Sequence, residues 1–405
     1  MDKGGDDKMK EKIFEFMLKQ KDNEVAQIGV YNHSNYTDIE IDKIIDESKL
    51  PFGFNNIHSF IESRKPPRNR VYLEPLLASV SHGQFPGGFL RTTLGLSLND
   101  TYWFVNSDFT DLEWDKYNLY NNPFSEVLSE VAFTGHPNRV QGVTPTPEYT
   151  TVGMLKKCWK NEKDKIVLYK AGTSGASNTG FEPYSEYYSC QILDKLGIPH
   201  IAYNLEKFHG ELVSTCECFC NENLSYAPIY KIMTREEWET SDVYQALGDR
   251  MKYFGEREFK DMFLFDYVTH NYDRHLGNFG MYYNPDTKEI LGPAKVYDNG
   301  AGLLAYGTVQ DLNQGKLSET WINDRTYMSW ISFDHALQYL IDAEMKEKVK
   351  KLINFKFEKH EKYNLNDNRL KSLEDFVQSR VEKILNYDIK NHQFKEKSNT
   401  SISWS

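Results

Sequence analysis

A buried helix that runs directly into a cluster of polar residues constrains the fold of this chain more than any other feature. Residues 258–268 are apolar on nearly every side of a helix, which is typical of a helix inside a protein rather than on its surface. Histidine, asparagine, aspartate and arginine follow at once in residues 269–278. The sequence therefore predicts a polar cluster at the end of a buried element.

A predicted β-hairpin brings a second polar group back to this cluster. Residues 279–291 predict two strands around a turn at 284–287. The hairpin begins after Asn278 and leads towards Asp298. We expect these two side chains to meet at one edge of a small sheet, with Asp273 on the loop between helix and strand.

The types and spacing of these residues indicate phosphoryl-transfer chemistry. Asp273 lies five residues before Asn278, and Asp298 precedes a small flexible turn that contains Gly300. Enzymes of this kind need a carboxylate that positions the attacking hydroxyl and oxygen ligands for a divalent metal ion. We interpret Asp273 as the base and the other two residues as the metal ligands. The alternative is a solvated polar loop, since the aspartate–asparagine spacing also occurs by chance.

A kinase also needs a cation for the nucleotide phosphates and a carboxylate that holds this cation. Residues 165–170 form a short β-rich run that ends in Lys170, and residues 182–197 predict a helix with a proline in its first turn and a terminal glycine. Glu186 is the predicted partner of this lysine, with Glu182 as the second choice. The alternative is a surface lysine and a glutamate favoured by the helix dipole.

Two glycine-containing loops flank the strand of Lys170. Before it, residues 142–159 predict two strands joined by a tight loop around Gly153, whose backbone N–H groups would close on phosphate oxygens. After it, residues 172–180 predict a mobile loop that borders the site, or a plain flexible linker.

Several ordered motifs together resemble the HipA family of bacterial serine/threonine kinases, including its CtkA-like members. The resemblance spans residues 150–304 and, more loosely, the C-terminal helices. The motifs are Lys170, Ser185-Glu186-Tyr187-Tyr188, Asn271-Tyr272-Asp273-Arg274-His275-Leu276-Gly277-Asn278 and Tyr297-Asp298.

The resemblance implies a bilobed protein-kinase-like fold of the α+β class, with a small β-rich N-lobe and a mostly helical C-lobe. It implies ATP and Mg²⁺ as cofactors and transfer to a serine or threonine of a protein, often including autophosphorylation. Lys170 would contact the nucleotide phosphates, Glu186 would orient it, and Asp273 would be the catalytic base. Asn278 and Asp298 would bind magnesium.

The resemblance also implies contacts with the nucleotide from the phosphate loop, the polar cluster and the hinge, namely Gly153, His275, Glu217, Cys218 and Phe219. Thr150 and Thr151 are the nearest candidates for autophosphorylation. The chain departs from protein kinases in one respect, because Asn299 stands where they generally have phenylalanine. Its phosphate loop is also poor in glycine.

Composition excludes several classes of protein. The chain has 405 residues and a net charge of −11, which disfavours direct binding to nucleic acid because such binding depends on lysine and arginine. No apolar run approaches the roughly 20 residues that span a bilayer, and no secretion signal follows the charged start. We expect a cytoplasmic protein, with secretion by a specialised system left open.

Five cysteines, an odd number, fit a reducing compartment. Cys216, Cys218 and Cys220 raise the possibility of a zinc site. Alternate side chains of a strand stand about 6.6 Å apart on one face, too far to share an ion at bonds of about 2.3 Å. Packing in the core or hinge is therefore the favoured interpretation.

Changes in composition and clusters of turn residues predict how the chain is divided into domains, a linker and tails. The predicted parts are a disordered tail (1–12), an additional N-terminal α+β domain (13–135), a linker (136–149), the kinase N-lobe (150–222), the kinase C-lobe (223–389) and a polar tail (390–405). A basic turn at residues 64–70 is expected to be a solvated loop, with contact to phosphate or to an acidic partner as the alternative.

Three functions remain open. The first is a HipA-like protein kinase with a protein substrate, for which an antitoxin-like regulatory partner is possible. The second is a small-molecule or lipid kinase, and the third is a non-catalytic kinase-like interaction module. An anionic lipid is disfavoured because residues 308–325 carry acidic and basic side chains in similar number. These are Lys316, Arg325, Asp311, Glu319 and Asp324.

Overall fold

The computed structural model describes residues 10–33, 36–80, 87–109, 111–162, 164–175, 179–307, 312, 325–328 and 330–389. The predicted polar tail at 390–405 lies outside the described residues, as do Asp311, Lys316, Glu319 and Asp324. The predicted α+β class is confirmed, because three antiparallel sheets are combined with helices that are concentrated in the second half of the chain.

The first sheet has four strands in the order β3-β2-β1-β4. Their bounds are β1 (Glu11–Gln20), β2 (Asn23–Asn32), β3 (Thr37–Ile44) and β4 (Tyr102–Asn106). Five short helices accompany this sheet: α1 (Ile57–Glu62), α2 (Leu73–Ala78), α3 (Leu90–Thr93), α4 (Trp114–Tyr117) and α5 (Glu126–Thr134). Because β1 begins at Glu11, the last two residues of the predicted 1–12 tail belong to a strand.

The second sheet carries the predicted N-lobe, in the order β5-β6-β8-β7. Its strands are β5 (Lys157–Glu162), β6 (Lys165–Ala171), β7 (Asn204–Phe208) and β8 (Glu211–Glu217). The predicted helix after β6 is confirmed as α6 (Glu182–Leu196), which packs on this sheet. It ends where Gly197 adopts a φ of 74°, a left-handed conformation that glycine tolerates.

The predicted hairpin is confirmed within the third sheet, whose order is β11-β10-β9. The strands are β9 (Ser225–Pro228), β10 (Gly280–Tyr283) and β11 (Ile290–Pro293). The hairpin leaves the polar cluster at Asn278 and returns to Asp298, as the sequence predicts.

Helices make up much of the described chain after β9. They are α7 (Arg235–Glu239), α8 (Val243–Phe254), α9 (Glu256–Thr269), α10 (Phe333–Leu340), α11 (Ala343–Val349) and α12 (Asp367–Asn386). The apolar run that predicts a buried helix is α9, in which every residue from Asp261 to Thr269 is buried. Among the described helices, none combines the length and the apolar character needed to cross a membrane.

The hydrophobic core of the first sheet continues into the second sheet. Phe16 and Phe104 of the first sheet belong to the same buried cluster as Cys158, Tyr169 and Val213 of the second. Removal of the N-terminal segment would therefore expose one face of the second sheet.

Two expectations from the sequence are wrong. Residues 144–156 contain no strand, so Gly153 lies in a turn that leads into β5 rather than between two strands. The basic turn at residues 64–70 is not fully solvated, because Arg64 and Arg70 are buried and pair with Asp100 and Glu148. The partners of both arginines are distant in the chain, so local sequence does not reveal them.

Candidate active site

Lys170 lies at the centre of the candidate site and joins two of the predicted residues. Its Nζ lies 2.8 Å from Oε1 of Glu186 and 2.5 Å from Oδ1 of Asp298. Burial would lower the pKa of Lys170, but the two carboxylates outweigh it and raise the pKa well above its usual value. The structure therefore brings together a charged lysine and two carboxylates from three separate elements.

Backbone contacts hold Asp298 beside α6. The residue has a φ of 55°, in the left-handed region, and its N–H donates to the hydroxyl of Tyr203 at 3.2 Å. The N–H of Asn299 donates to Oε2 of Glu186 at 2.7 Å, and Oγ of Ser185 donates to the carbonyl of Asn299 at 2.7 Å. Glu186 therefore uses one oxygen for the lysine and the other for the segment that carries Asp298.

A buried ion pair fixes the polar cluster at the end of α9. Arg274 and Asp266 are both fully buried and lie 3.1 Å apart. The same guanidinium donates to the carbonyls of Asn278 and Tyr297 and to Oδ1 of Asn299. Arg274 thus joins the Asp273–Asn278 loop to the Asp298 segment. Sequence reasoning missed this role, although an aspartate inside an apolar helix was a signal.

Asp273 and Asn278 occupy the loop in an ordered arrangement. Nδ2 of Asn278 donates to the carbonyl of Asp273 at 3.0 Å, and the N–H of His275 donates to the same carbonyl at 2.9 Å. The carboxylate of Asp273 is exposed. Partial loss of hydration, followed by repulsion from Asp298, raises the pKa of Asp273.

Electrostatics separate the two aspartates. Burial would raise the pKa of Asp298, but the ammonium groups of Lys170 and Lys157 lower it well below its usual range. Asp298 is therefore ionised across the physiological range. Asp298 thus stays charged, whereas Asp273 has a raised affinity for a proton.

Lys157 is a second buried lysine that the sequence interpretation missed. It lies directly opposite Lys170 in the β5–β6 pair, and its Nζ donates to the carbonyl of Val152 at 2.8 Å. Burial, followed by repulsion from Lys170, lowers the pKa of Lys157 to about 7. The register of the β5–β6 hairpin places Lys157 opposite Lys170, so pairing the two strands in the sequence would have identified this residue.

The turn around Gly153 lies against Lys157. Gly153 has a φ of 93°, and a Cβ there would lie 2.5 Å from Nζ of Lys157, so the turn can approach this lysine closely because it carries glycine. Thr150 is buried and Thr151 is partly exposed, and both hydroxyls donate to the carbonyl of Pro147. The predicted phosphate loop therefore lies beside Lys157, but of the two strands predicted around it only the second, β5, is present.

Glu182, the second choice as partner of Lys170, has a different position. One of its carboxylate oxygens accepts a hydrogen bond from the N–H of Thr173 at 3.1 Å, so it holds the loop that follows β6. Residues 176–178 of that loop lie outside the described part of the chain. Glu186, not Glu182, forms the ion pair with the lysine.

The predicted hinge lies between the second and third sheets. Glu217 is exposed and pairs with Lys165, and the N–H of Cys218 donates to the carbonyl of Ile166 at 2.7 Å. Phe219 packs against Tyr297 with ring centroids 5.3 Å apart. The amide of Cys218 is thus engaged within the protein, while Phe219 contributes to an apolar wall next to Asp298.

Cys216 packs in a different cluster from Cys220, against whose cluster Cys218 also packs. Cys216 is buried with Cys190 and Tyr203, whereas Cys220 is buried with Tyr226. Burial raises the pKa of Cys216 and of Cys220, which disfavours the thiolate that zinc requires. These positions support the packing interpretation over the zinc interpretation.

The solved structures that are similar to this chain include a kinase of Helicobacter pylori and a HipA protein of Shewanella oneidensis. The Helicobacter pylori proinflammatory kinase CtkA is 18% identical, with a TM-score of 0.46 over 57% of this chain and 90% of that chain. HipA of Shewanella oneidensis, solved with HipB and operator DNA, is 12% identical, with a TM-score of 0.47 over 92% of this chain and 100% of that chain. No family model and no curated protein matches the sequence.

The predicted resemblance to HipA-like and CtkA-like proteins is confirmed as a structural similarity. At these identities and TM-scores we take no residue role from either structure. The roles proposed below rest on the side chains of this chain.

Proposed function

We propose that this protein is an ATP- and magnesium-dependent kinase that phosphorylates serine or threonine in a protein. The observation that supports the proposal most is the position of Lys170 between Glu186 and Asp298, at 2.8 and 2.5 Å. A phosphate-binding lysine held by a glutamate, next to a metal-binding aspartate, is the arrangement that a protein kinase needs. Lys170 and Glu186 are buried and Asp298 is partly exposed, which distinguishes the group from an ordinary surface ion pair.

The donor set fits magnesium. Asn278 uses its Nδ2 on the carbonyl of Asp273, which leaves its Oδ1 for a cation, and Asp298 has one carboxylate oxygen that is not bonded to Lys170. Oxygen ligands of this kind suit a hard divalent ion. Bound there, magnesium would neutralise charge on the phosphates of ATP.

Asp273 is the proposed base. Its carboxylate is exposed, so a substrate hydroxyl can reach it, and its backbone is fixed by Asn278 and His275. The raised pKa favours acceptance of a proton as the hydroxyl attacks.

Lys157 extends the proposed phosphate site. Its ammonium group lies between the Gly153 turn and Lys170, where a polyphosphate would offer the negative charge that the lysine lacks. A bound phosphate would raise the pKa of this lysine above its low value and hold it in the charged form. Gly153 and His275 stay predicted nucleotide contacts.

A protein substrate, including the chain itself, is part of the proposal. Of the two predicted autophosphorylation positions, Thr151 is the more accessible, so we propose it as the acceptor. An antitoxin-like regulatory partner is likewise a proposal that follows from the resemblance of the motifs.

The test is transfer of label from γ-labelled ATP with magnesium, with and without a cell lysate. We expect label on protein, and a loss of roughly a hundred- to ten-thousandfold in Asp273→Asn with ATP binding retained. Glu289→Gln, which changes an exposed acid in the nearby hairpin, is the matched control and should retain activity.

Each other outcome has a distinct meaning. Label confined to small molecules would replace the protein substrate with a metabolite or lipid. The absence of any transfer would leave a non-catalytic module. Equal activity of Asp273→Asn and the native protein would refute the assigned base.

A further inference from the structure

A small cavity lies next to the candidate active site, between α6, the segment after Gly302 and α12. Its enclosed part has room for a group of about the size of one water molecule, and Ser185, Leu303 and Arg369 contribute to its walls. Aromatic and aliphatic side chains form most of the remaining lining, and no acidic residue takes part.

Arg369 is an unusual residue for such a wall. It is only 1% exposed, yet its Nε and Nη1 have no hydrogen-bond partner. Nη2 donates to the carbonyl of Leu304 at 3.1 Å, and the guanidinium stacks 3.7 Å from the ring centre of Phe181. A guanidinium carries five N–H donors, so most of its hydrogen-bonding capacity is unused.

The charge of Arg369 is also uncompensated. Within the described part of the chain, no carboxylate forms an ion pair with it, and burial lowers the pKa of Arg369 to about 10. Arg70 and Arg274, which are also buried, have such partners in Glu148 and Asp266, whereas Arg250 and Arg380 form no ion pair within the described residues. An isolated buried charge is costly, and the contact with Phe181 offsets only part of that cost.

We propose that this cavity binds a single halide ion on the guanidinium of Arg369. The cavity is too small and too apolar for a large charged ligand, and its one charged wall is positive. Tyr184 and Ser185, near the start of α6, also line the cavity. The bound anion would accept hydrogen bonds from the guanidinium and would balance its positive charge.

The cavity is connected to the active site through Ser185. This residue lines the cavity, donates to the carbonyl of Asn299 and precedes Glu186. An anion on Arg369 would therefore strengthen the packing of α12 against the two segments that carry Glu186 and Asp298. The binding itself does not depend on the proposed kinase activity.

The first test measures thermal unfolding of the whole protein in sodium bromide and in sodium phosphate, against sodium gluconate at equal ionic strength. We expect the unfolding midpoint in bromide to rise by roughly 2 °C at an ion concentration ten times the Kd, and no such rise in phosphate, which is too large for the cavity. The rise should vanish in Arg369→Met. It should persist in Lys371→Met, which removes an exposed positive charge from the same helix.

The second test is crystallographic and needs no variant. Crystals grown in bromide should show an anomalous peak in the cavity, in contact with Nε or Nη1 of Arg369. If Arg369→Met does not fold, Arg369→Lys keeps the charge with fewer donors and should bind the anion several-fold more weakly. The proposal is overturned if the native protein shows neither peak nor anion-specific shift, or if Arg369→Met keeps the shift.

Discussion

Lys157 shows how strongly a single buried charge depends on its surroundings. The residue is only 6% exposed, and it faces Lys170 across two paired strands. Burial and this neighbour lower its pKa from 10.5 to about 7. Burial of this lysine lowers the stability of the folded protein. Such a loss of stability is expected at a site where a buried cation binds an anionic ligand.

The pH dependence of this cost has a definite sign. Between pH 7 and 10.5 the unfolded lysine holds a proton that the folded lysine has released. The unfolded state then binds more protons, so the contribution of Lys157 to the free energy of unfolding becomes more favourable as the pH rises through this window.

Lys157→Met should therefore raise the free energy of unfolding by on the order of 1 kcal/mol at pH 6.5 and by less at pH 10. The same variant should weaken binding of ATP because a proposed phosphate contact is lost. Denaturant unfolding of both proteins at the two pH values measures the first effect. A larger gain at pH 10 would contradict the assigned pKa.

At the scale of elements, close backbone packing positions the loop that carries Asn278. A Cβ at Gly280 would lie 2.1 Å from the carbonyl oxygen of Ala227, on the neighbouring strand β9. Neither strand can move away without breaking the hydrogen bonds of the sheet. The glycine thus allows β10 to lie against β9 two residues after Asn278.

Gly280→Ala should lower the free energy of unfolding by roughly 2 kcal/mol or more, because backbone atoms must shift. It should also lower activity through displacement of Asn278. Gly248→Ala is the matched control, since nothing lies within 4 Å of a Cβ there. Because Gly248 lies within α8, Gly248→Ala should instead raise the free energy of unfolding by about 0.5–1 kcal/mol. Similar effects of the two substitutions would contradict this account.

At the scale of the whole molecule, the N-terminal segment supports the candidate site. Arg70 and Glu148 form an ion pair in which both side chains are fully buried. Arg70 also donates to the carbonyls of Thr151 and Lys157, at the two ends of the turn that contains Gly153. Part of the predicted phosphate loop is therefore held by a residue outside the two predicted lobes.

Arg70→Met should cost about 3–5 kcal/mol of stability, because it leaves Glu148 buried and unpaired. The double variant Arg70→Met/Glu148→Gln should lose less than the sum of the two single losses. Arg91→Met breaks an ion pair at the surface and should cost about 1 kcal/mol or less. Additive losses in the double-mutant cycle would show that the pair is not coupled.

The sequence by itself determined the elements whose signals are local. Helical periodicity and terminal residues predicted α6 and α9, and turn residues predicted the hairpin after Asn278. Their order placed Lys170, Glu186 and Asp298 so that the predicted ion pair could form. These predictions succeed because each depends on residues that are close in the chain.

Only the tertiary structure decided which charges are buried and what they contact. Arg70, Arg274 and Arg369 are charged residues that a sequence pattern assigns to the surface, yet all three are buried. The pairing of Lys157 with Lys170 likewise depends on strand register. Burial of a charge is determined by partners from distant segments, and the free energy of such contacts is absent from any local pattern.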